Sequence, residues 1–164
     1  TPLYSSAASD VYKRQGLYTH WQRSFLHPSL LAFDAPSREE CTAERPRSNT
    51  PLQALILLND LTYVEAARSF AERIIKEGGT DSNSRINWAL NTALSREGTE
   101  QEINILSKLQ TQQNNRYKED IEAAKAFNQT GIKLPPVNID PTELASWTSV
   151  ARTILNLHET ITRH

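Results

Sequence analysis

The chain of 164 residues carries 18 Lys and Arg against 19 Asp and Glu, a net charge of −1, with one cysteine and four histidines. That length supports one domain with a real core, while the balanced charge excludes the global positive field that draws a protein to DNA, RNA or an anionic membrane surface. No run approaches the roughly 18 apolar residues of a spanning helix, and Cys41 with scattered His gives no disulfide, no metal-ligand spacing and no Cys-x-x-Cys-His haem attachment.

Thr1 to Gln15 show neither a helical nor a strand period, and they join abruptly to the aromatic-rich stretch that starts at Gly16. The hexapeptide Asp10 to Gln15, DVYKRQ, resembles the translation of GAT GTG TAT AAG AGA CAG, the end of a transposon adapter used in sequencing libraries. Residues 1–15 are therefore read as a non-native leader of metagenomic origin, and 16–164 as the C-terminal part of one domain whose beginning is cut away. A native tail is the alternative, and either reading gives the segment no function.

From Gly16 onward the first feature is a weak strand candidate, Leu17 to Trp21, followed by an irregular loop from Phe33 to Thr50. Thr50-Pro51-Leu52-Gln53 then marks a helix start, because a capping hydroxyl stands three residues before Gln and proline occupies the first helical position. Leu52, Leu55, Ile56 and Leu58 carry that helix, and Asn59-Asp60 reads as a stop followed by a new N-cap. Val64, Ala67, Phe70, Ala71, Ile74 and Ile75 make the next helix one-sided, and Gly78-Gly79 ends it as a left-handed C-cap does. Ile86, Ala89, Leu90, Ala93 and Leu94 place a third helix near Ser82 to Ser95. Thr99 with Glu102 starts a fourth, read as one long helix to about Gln129 with a solvated waist at Gln112 to Asn115. Pro135-Pro136 keeps Ile132 to Ile139 extended. Asp140-Pro141-Thr142-Glu143 opens the last helix, whose wide apolar face of Leu144, Trp147, Val150, Ala151, Ile154, Leu155 and Leu157 suits packing across the others. The expected fold class is all-α, about five helices on one core with a long irregular loop before the first.

The stretch Gly16 to Ile75, with its core FDAPSREECTAERPRSNTPLQALILLND from Phe33 to Asp60, resembles the C-terminal domain of large proteins from Planctomycetes and Verrucomicrobia. The family is domain of unknown function 1553, the planctomycete cytochrome-c-associated C-terminal domain. Ala93 to Glu102 and Trp147 to Thr162 are similar to its later helices, and Leu61 stands where the family often has proline. The resemblance implies a periplasmic or secreted protein whose upstream part carries c-type haem and whose partners include the upstream domains of the same polypeptide. It implies no reaction.

Within Phe33 to Thr50 lie three arginines, four acids and the single cysteine, and long loops on rigid scaffolds are where function concentrates. Arg38, Arg45 and Arg47 are the candidate anion ligands, since guanidinium groups bind carboxylate or sulfate in bidentate fashion and the amides after Thr50 add a second anion-binding element. Against that, Asp34, Glu39, Glu40 and Glu44 can pair with the same arginines and fix the loop without a ligand. Cys41 is read as a buried structural thiol, with a nucleophile activated by neighbouring arginines as the rival. Trp21, with Tyr18, Phe25, His20 and His27, is read as core, with a stacking platform for a sugar as the rival. Asp34 and Glu39 lack any fixed separation that would make them a general acid/base pair. His158 is read as packed or exposed.

These readings point to a structural or ligand-binding helical module of a larger secreted protein, with no cofactor in this segment, no membrane span and no nucleic-acid partner. The rivals are an enzyme or redox subdomain that binds an acidic or sulfated polysaccharide through the arginine-rich loop, and a docking surface for a c-type cytochrome domain.

Overall fold

A computed structural model of the chain describes residues 28–36, 43, 48 and 50–161, and its contacts separate two units, Thr1–Ser48 and Asn49–His164. The described residues form eight helices and no strand. Five of the eight have nine residues or more, as the sequence leads one to expect.

In the first unit a short helix α1 (Pro28–Ala32) ends at Asp34, whose φ of 56° is left-handed. Aspartate tolerates that conformation better than most residues. The amides of Asp34 and Ala35 donate back to the carbonyls of Leu31 and Leu30, at 3.2 and 3.0 Å, and close the turn.

The second unit begins with α2 (Pro51–Asn59), capped by Thr50, whose hydroxyl accepts from the Gln53 amide at 3.4 Å. Asp60 both ends α2 and caps α3 (Leu61–Glu77), accepting from the Thr62 amide at 2.8 Å, so the helix starts sharply at Leu61. Gly79 takes the left-handed φ of 91° after α3. Next come α4 (Ser82–Leu94), capped by Asp81, and α5 (Glu100–Glu119), where Thr99 and Glu102 complete a reciprocal capping box.

The single long helix expected from Glu100 to about Gln129 is corrected here. It breaks at Asp120, and α6 (Ile121–Asn128) follows as a separate helix. The Asp120 carboxylate accepts from the Ala123 amide at 2.9 Å, and its backbone leaves the helical region at φ −128° and ψ 82°. A short carboxylate competing for the amides ahead of it thus starts a new helix without Gly or Pro. Phe127 then stacks on Tyr117 across the break, with ring centroids 6.0 Å apart.

The last long helix, α7 (Pro141–Leu155), packs against α2 to α6 and against the short α8 (His158–Ile161). Small buried residues, Ala145, Ser146 and Ala151, let neighbouring helices approach it on several sides. Thr148 is buried too, and its hydroxyl donates to the Leu144 carbonyl at 2.7 Å, which removes the desolvation penalty. The core joins Ala67, Ala71 and Ile74 of α3, Ile86, Ala89 and Leu90 of α4, Leu106 of α5, and Leu144, Trp147, Val150, Ala151 and Ile154 of α7. Arg152 of α7 donates to the Leu58 carbonyl at the end of α2 and lies over the Phe127 ring.

A second face of α3 is buried and charged. Glu65, Arg68 and Glu72 recur at spacings of three and four, and together they hold the chain between α6 and α7. The Arg68 guanidinium, 1% exposed, donates to the carbonyls of Asn128, Thr130 and Lys133. The Glu65 carboxylate accepts from the amides of Ile132 and Lys133 at 2.8 and 3.3 Å, and Glu72 lies 3.4 Å from the Lys133 ammonium. Gly131 makes the approach feasible: its φ is 103°, and a Cβ there would stand 2.4 Å from Glu65 Oε2. Asn128 adds a bond from its side-chain amide to the Pro141 carbonyl at 2.8 Å, so the start of α7 is fixed in place.

Candidate functional site

Of the sequence-predicted loop, the described residues include both ends. Asp34 is engaged structurally: the Ser48 amide donates to its carboxylate at 2.7 Å and the Ser48 hydroxyl at 2.8 and 2.7 Å, across a separation of 14 residues. Thr50 is the helix cap anticipated for it. Arg38, Glu39, Glu40, Cys41, Glu44, Arg45 and Arg47 lie outside the described residues, as do Trp21, Tyr18, Phe25, His20 and His27 and the strand candidate Leu17 to Trp21. His158 begins α8 and is exposed.

A second polar site lies within the second unit, and the sequence reading did not find it. It is a cavity of about 300 Å³ with walls from three helices. The first turn of α4 supplies Ser82 and Arg85, with Thr80 just before it. One stripe of α5 supplies Gln110, Asn114 and Lys118 at successive spacings of four. The cap and first turn of α7 supply Asp140, Thr142 and Glu143, and Trp147, one turn further, is its buried floor at 1% exposure.

Each wall is held by local chemistry. Arg85 pairs with Glu143 at 2.7 Å, donates through Nε to the Gly79 carbonyl at 2.9 Å, and places its guanidinium 5.7 Å from the Trp147 ring centroid. The hydrogen bond from the Thr142 hydroxyl holds the Asp140 carboxyl below its ordinary range, more than burial raises it. Amide donation from Glu143 and Thr142 and the charge of Lys118 act in the same direction. Asp140 is thus a firm anion and the cap of α7, accepting from the Glu143 amide at 3.0 Å. Ser146 donates to the Glu143 carbonyl at 2.8 Å, and the Gln110 amide reaches Ser146 Oγ only at 3.5 Å. Ser82 Oγ is buried and has no hydrogen-bond partner among the described residues. The arrangement is rich in neutral donors and acceptors, and its charged lining sums to zero with Arg85 and Glu143 paired.

A larger hollow of about 470 Å³ is lined by Asn87, Trp88, Asn91, Thr92 and Glu97, which lie on α4 or just after it. Phe70 and Arg73 of α3 pack on the Trp88 ring, at 6.2 and 5.3 Å from its centroid. One-sided walls hold a small ligand less completely than three converging ones.

One signal for the first site was present in the sequence. Gln110, Asn114 and Lys118 recur in helical register along α5, and of these only Asn114 falls in the solvated waist expected at Gln112 to Asn115. That they meet Arg85 and Glu143, 58 residues apart from each other, is a product of the packing.

The family model described as PSD1, protein of unknown function (DUF1553), matches residues 2–110, which is 109 of the chain's 164 residues. The match takes in the Phe33 to Thr50 loop, α1 to α4 and the first half of α5. No curated protein and no solved structure matches the chain.

Proposed function

The chain belongs to the DUF1553 family of proteins of unknown function, and on that premise we propose that it is a ligand-binding helical module of a larger secreted, cytochrome-c-associated bacterial protein. The observation that carries the binding part is the three-walled polar cavity between α4, α5 and α7. Convergent polar groups in a concave site on rigid elements are the usual geometry of small-molecule recognition. Binding is favoured over acid/base catalysis by the state of the carboxylates: Asp140 is held below its ordinary range and Glu143 is engaged by Arg85. A general base works best when its pKa lies near the working pH.

Secretion and cytochrome association rest on the family resemblance. Cys41 is the chain's single cysteine, so these residues do not fit covalent haem, and the haem of the proposed protein belongs to the upstream part. Two measurements test the proposal. The gene is expected to encode a signal peptide and a Cys-x-x-Cys-His ahead of this segment, and their absence would remove the cytochrome reading. Amide chemical shifts of the intact chain are expected to move around Thr80 to Arg85, Gln110 to Lys118 and Asp140 to Glu143 when small polar ligands are titrated in. A panel of neutral, anionic and zwitterionic solutes that moves none of them removes the binding reading.

A further inference from the structure

We infer that the ligand of this cavity is an uncharged, hydroxyl-rich molecule about the size of a single sugar ring, an inference that rests on the binding reading above. Charge is the first discriminator. Arg85 and Lys118 face Asp140 and Glu143, so the lining sums to zero (2 − 2), and Arg85 and Glu143 are paired with each other. Arg85 and Glu143 are in contact at 2.7 Å, with the Arg85 side chain only 17% exposed, and Lys118 acts electrostatically on Asp140. An anion entering the site meets two carboxylates, and a cation meets a guanidinium and an ammonium. An ion that engages Arg85 or Glu143 must break their pair in a partly desolvated place, which leaves an uncompensated charge behind, and elsewhere in the lining it meets one charge of each sign.

What is left for a ligand is neutral. Ser82 Oγ is buried and unpartnered among the described residues, and the amides of Gln110 and Asn114 stand one turn apart on the opposite wall. Hydroxyls and primary amides both donate and accept, so their complement is a solute that does the same at several closely spaced points. A polyol ring meets that description. The volume of about 300 Å³ lies at the lower end of small-molecule clefts, about 300 to 1,000 Å³, which suits one ring and excludes a long chain held along its whole length. Trp147 contributes as a rigid floor beneath Arg85.

The test titrates the intact chain, labelled for amide NMR, with three classes of probe: neutral monosaccharides and inositol, sodium sulfate, and glycine as a zwitterion. A neutral sugar or inositol is expected to move the amides of Thr80 to Arg85, Gln110 to Lys118 and Asp140 to Glu143. Its affinity is expected to change little between about 0.05 and 0.5 M salt, since no charge is screened. Asn114→Ala and Gln110→Ala, both on a partly exposed helix face, are expected to weaken binding by about tenfold when combined. The unchanged spectrum elsewhere is the control for folding. Sulfate or glycine moving these amides while every neutral probe leaves them still overturns the inference and keeps the binding reading. Neutral binding that survives the double variant, or that moves a different set of amides, also overturns it. No probe moving any of them overturns both.

Discussion

Replacing Arg68 by methionine leaves the carbonyls of Asn128, Thr130 and Lys133 and the Glu72 carboxylate buried around an apolar chain. Breaking a buried charged arrangement by removing one partner costs about 3 to 5 kcal/mol, so Arg68→Met is expected to lower the unfolding free energy by that order in urea. A loss within about 0.5 kcal/mol, the usual range for an ordinary surface change, is the result that dismisses the clamp. Gly131→Ala attacks the same contact from the other side. A side chain at φ 103° is strained and its Cβ collides with Glu65, so a loss of about 1 to 3 kcal/mol is expected. At this scale the sequence was readable wherever the chemistry is local. Thr50, Asp60, Thr99 and Asp140 cap their helices as their spacing requires. Arg68 was not readable, because nothing local distinguishes an arginine that reads carbonyls 60 or more residues away from one that faces water.

Between residue and fold stands the start of α5. Arg96 joins it to α8, pairing with Glu102 at 2.7 Å and Glu159 at 2.8 Å. The Arg96 guanidinium, followed by the Thr99 amide, holds the Glu102 carboxyl at about 2, against an ordinary 4.5. Because the folded value is the lower one, the stabilisation is complete above about pH 4.5 and is lost as the pH falls toward about 2. Both side chains are about one-third exposed, so solvent screening keeps the effect small. Glu102→Gln keeps a side chain that can complete the capping box but removes the titration. The urea midpoint of the variant is therefore expected to fall less steeply than that of the parent between pH 4.5 and 2, and parallel curves would falsify the assignment. The break at Asp120 shows where element reading loses its grip. The stretch from Glu100 to Gln129 contains no Gly or Pro, and its one punctuation mark is a single aspartate among polar residues. Only the Ala123 amide seated on that carboxylate distinguishes a cap from a solvated side chain.

The fold class of the whole molecule was legible because apolar stripes at helical spacing must find a common core, and α7, the most apolar of the late helices, lies at its centre. The polar cavity was not, since its walls come from helices whose relative placement no local pattern encodes. The leader proposal also belongs to this scale. A chain beginning at Gly16 is expected to melt within about 2 °C of the full one, because about 1 kcal/mol moves the midpoint of a domain this size by 2 to 4 °C. The family match reaching back to residue 2 sets the opposite expectation, and a drop of several degrees decides for it. The segment held against α3 has a consequence for how such a protein changes over time. Glu65 and Arg68 hold residues 128 to 133 through backbone amides and carbonyls, and Glu72 adds the Lys133 ammonium, whereas Leu134 and Val137 just beyond are almost fully exposed. A grip that takes hold of the main chain, with Lys133 as its one side-chain contact on the segment from 129 to 133, makes little demand on the side chains displayed beyond it. Provided that glycine stays at 131 and lysine at 133, the stretch from Leu134 to Asn138 is a place where new recognition sequences can be tried, by mutation or by grafting, at little risk to the scaffold beneath.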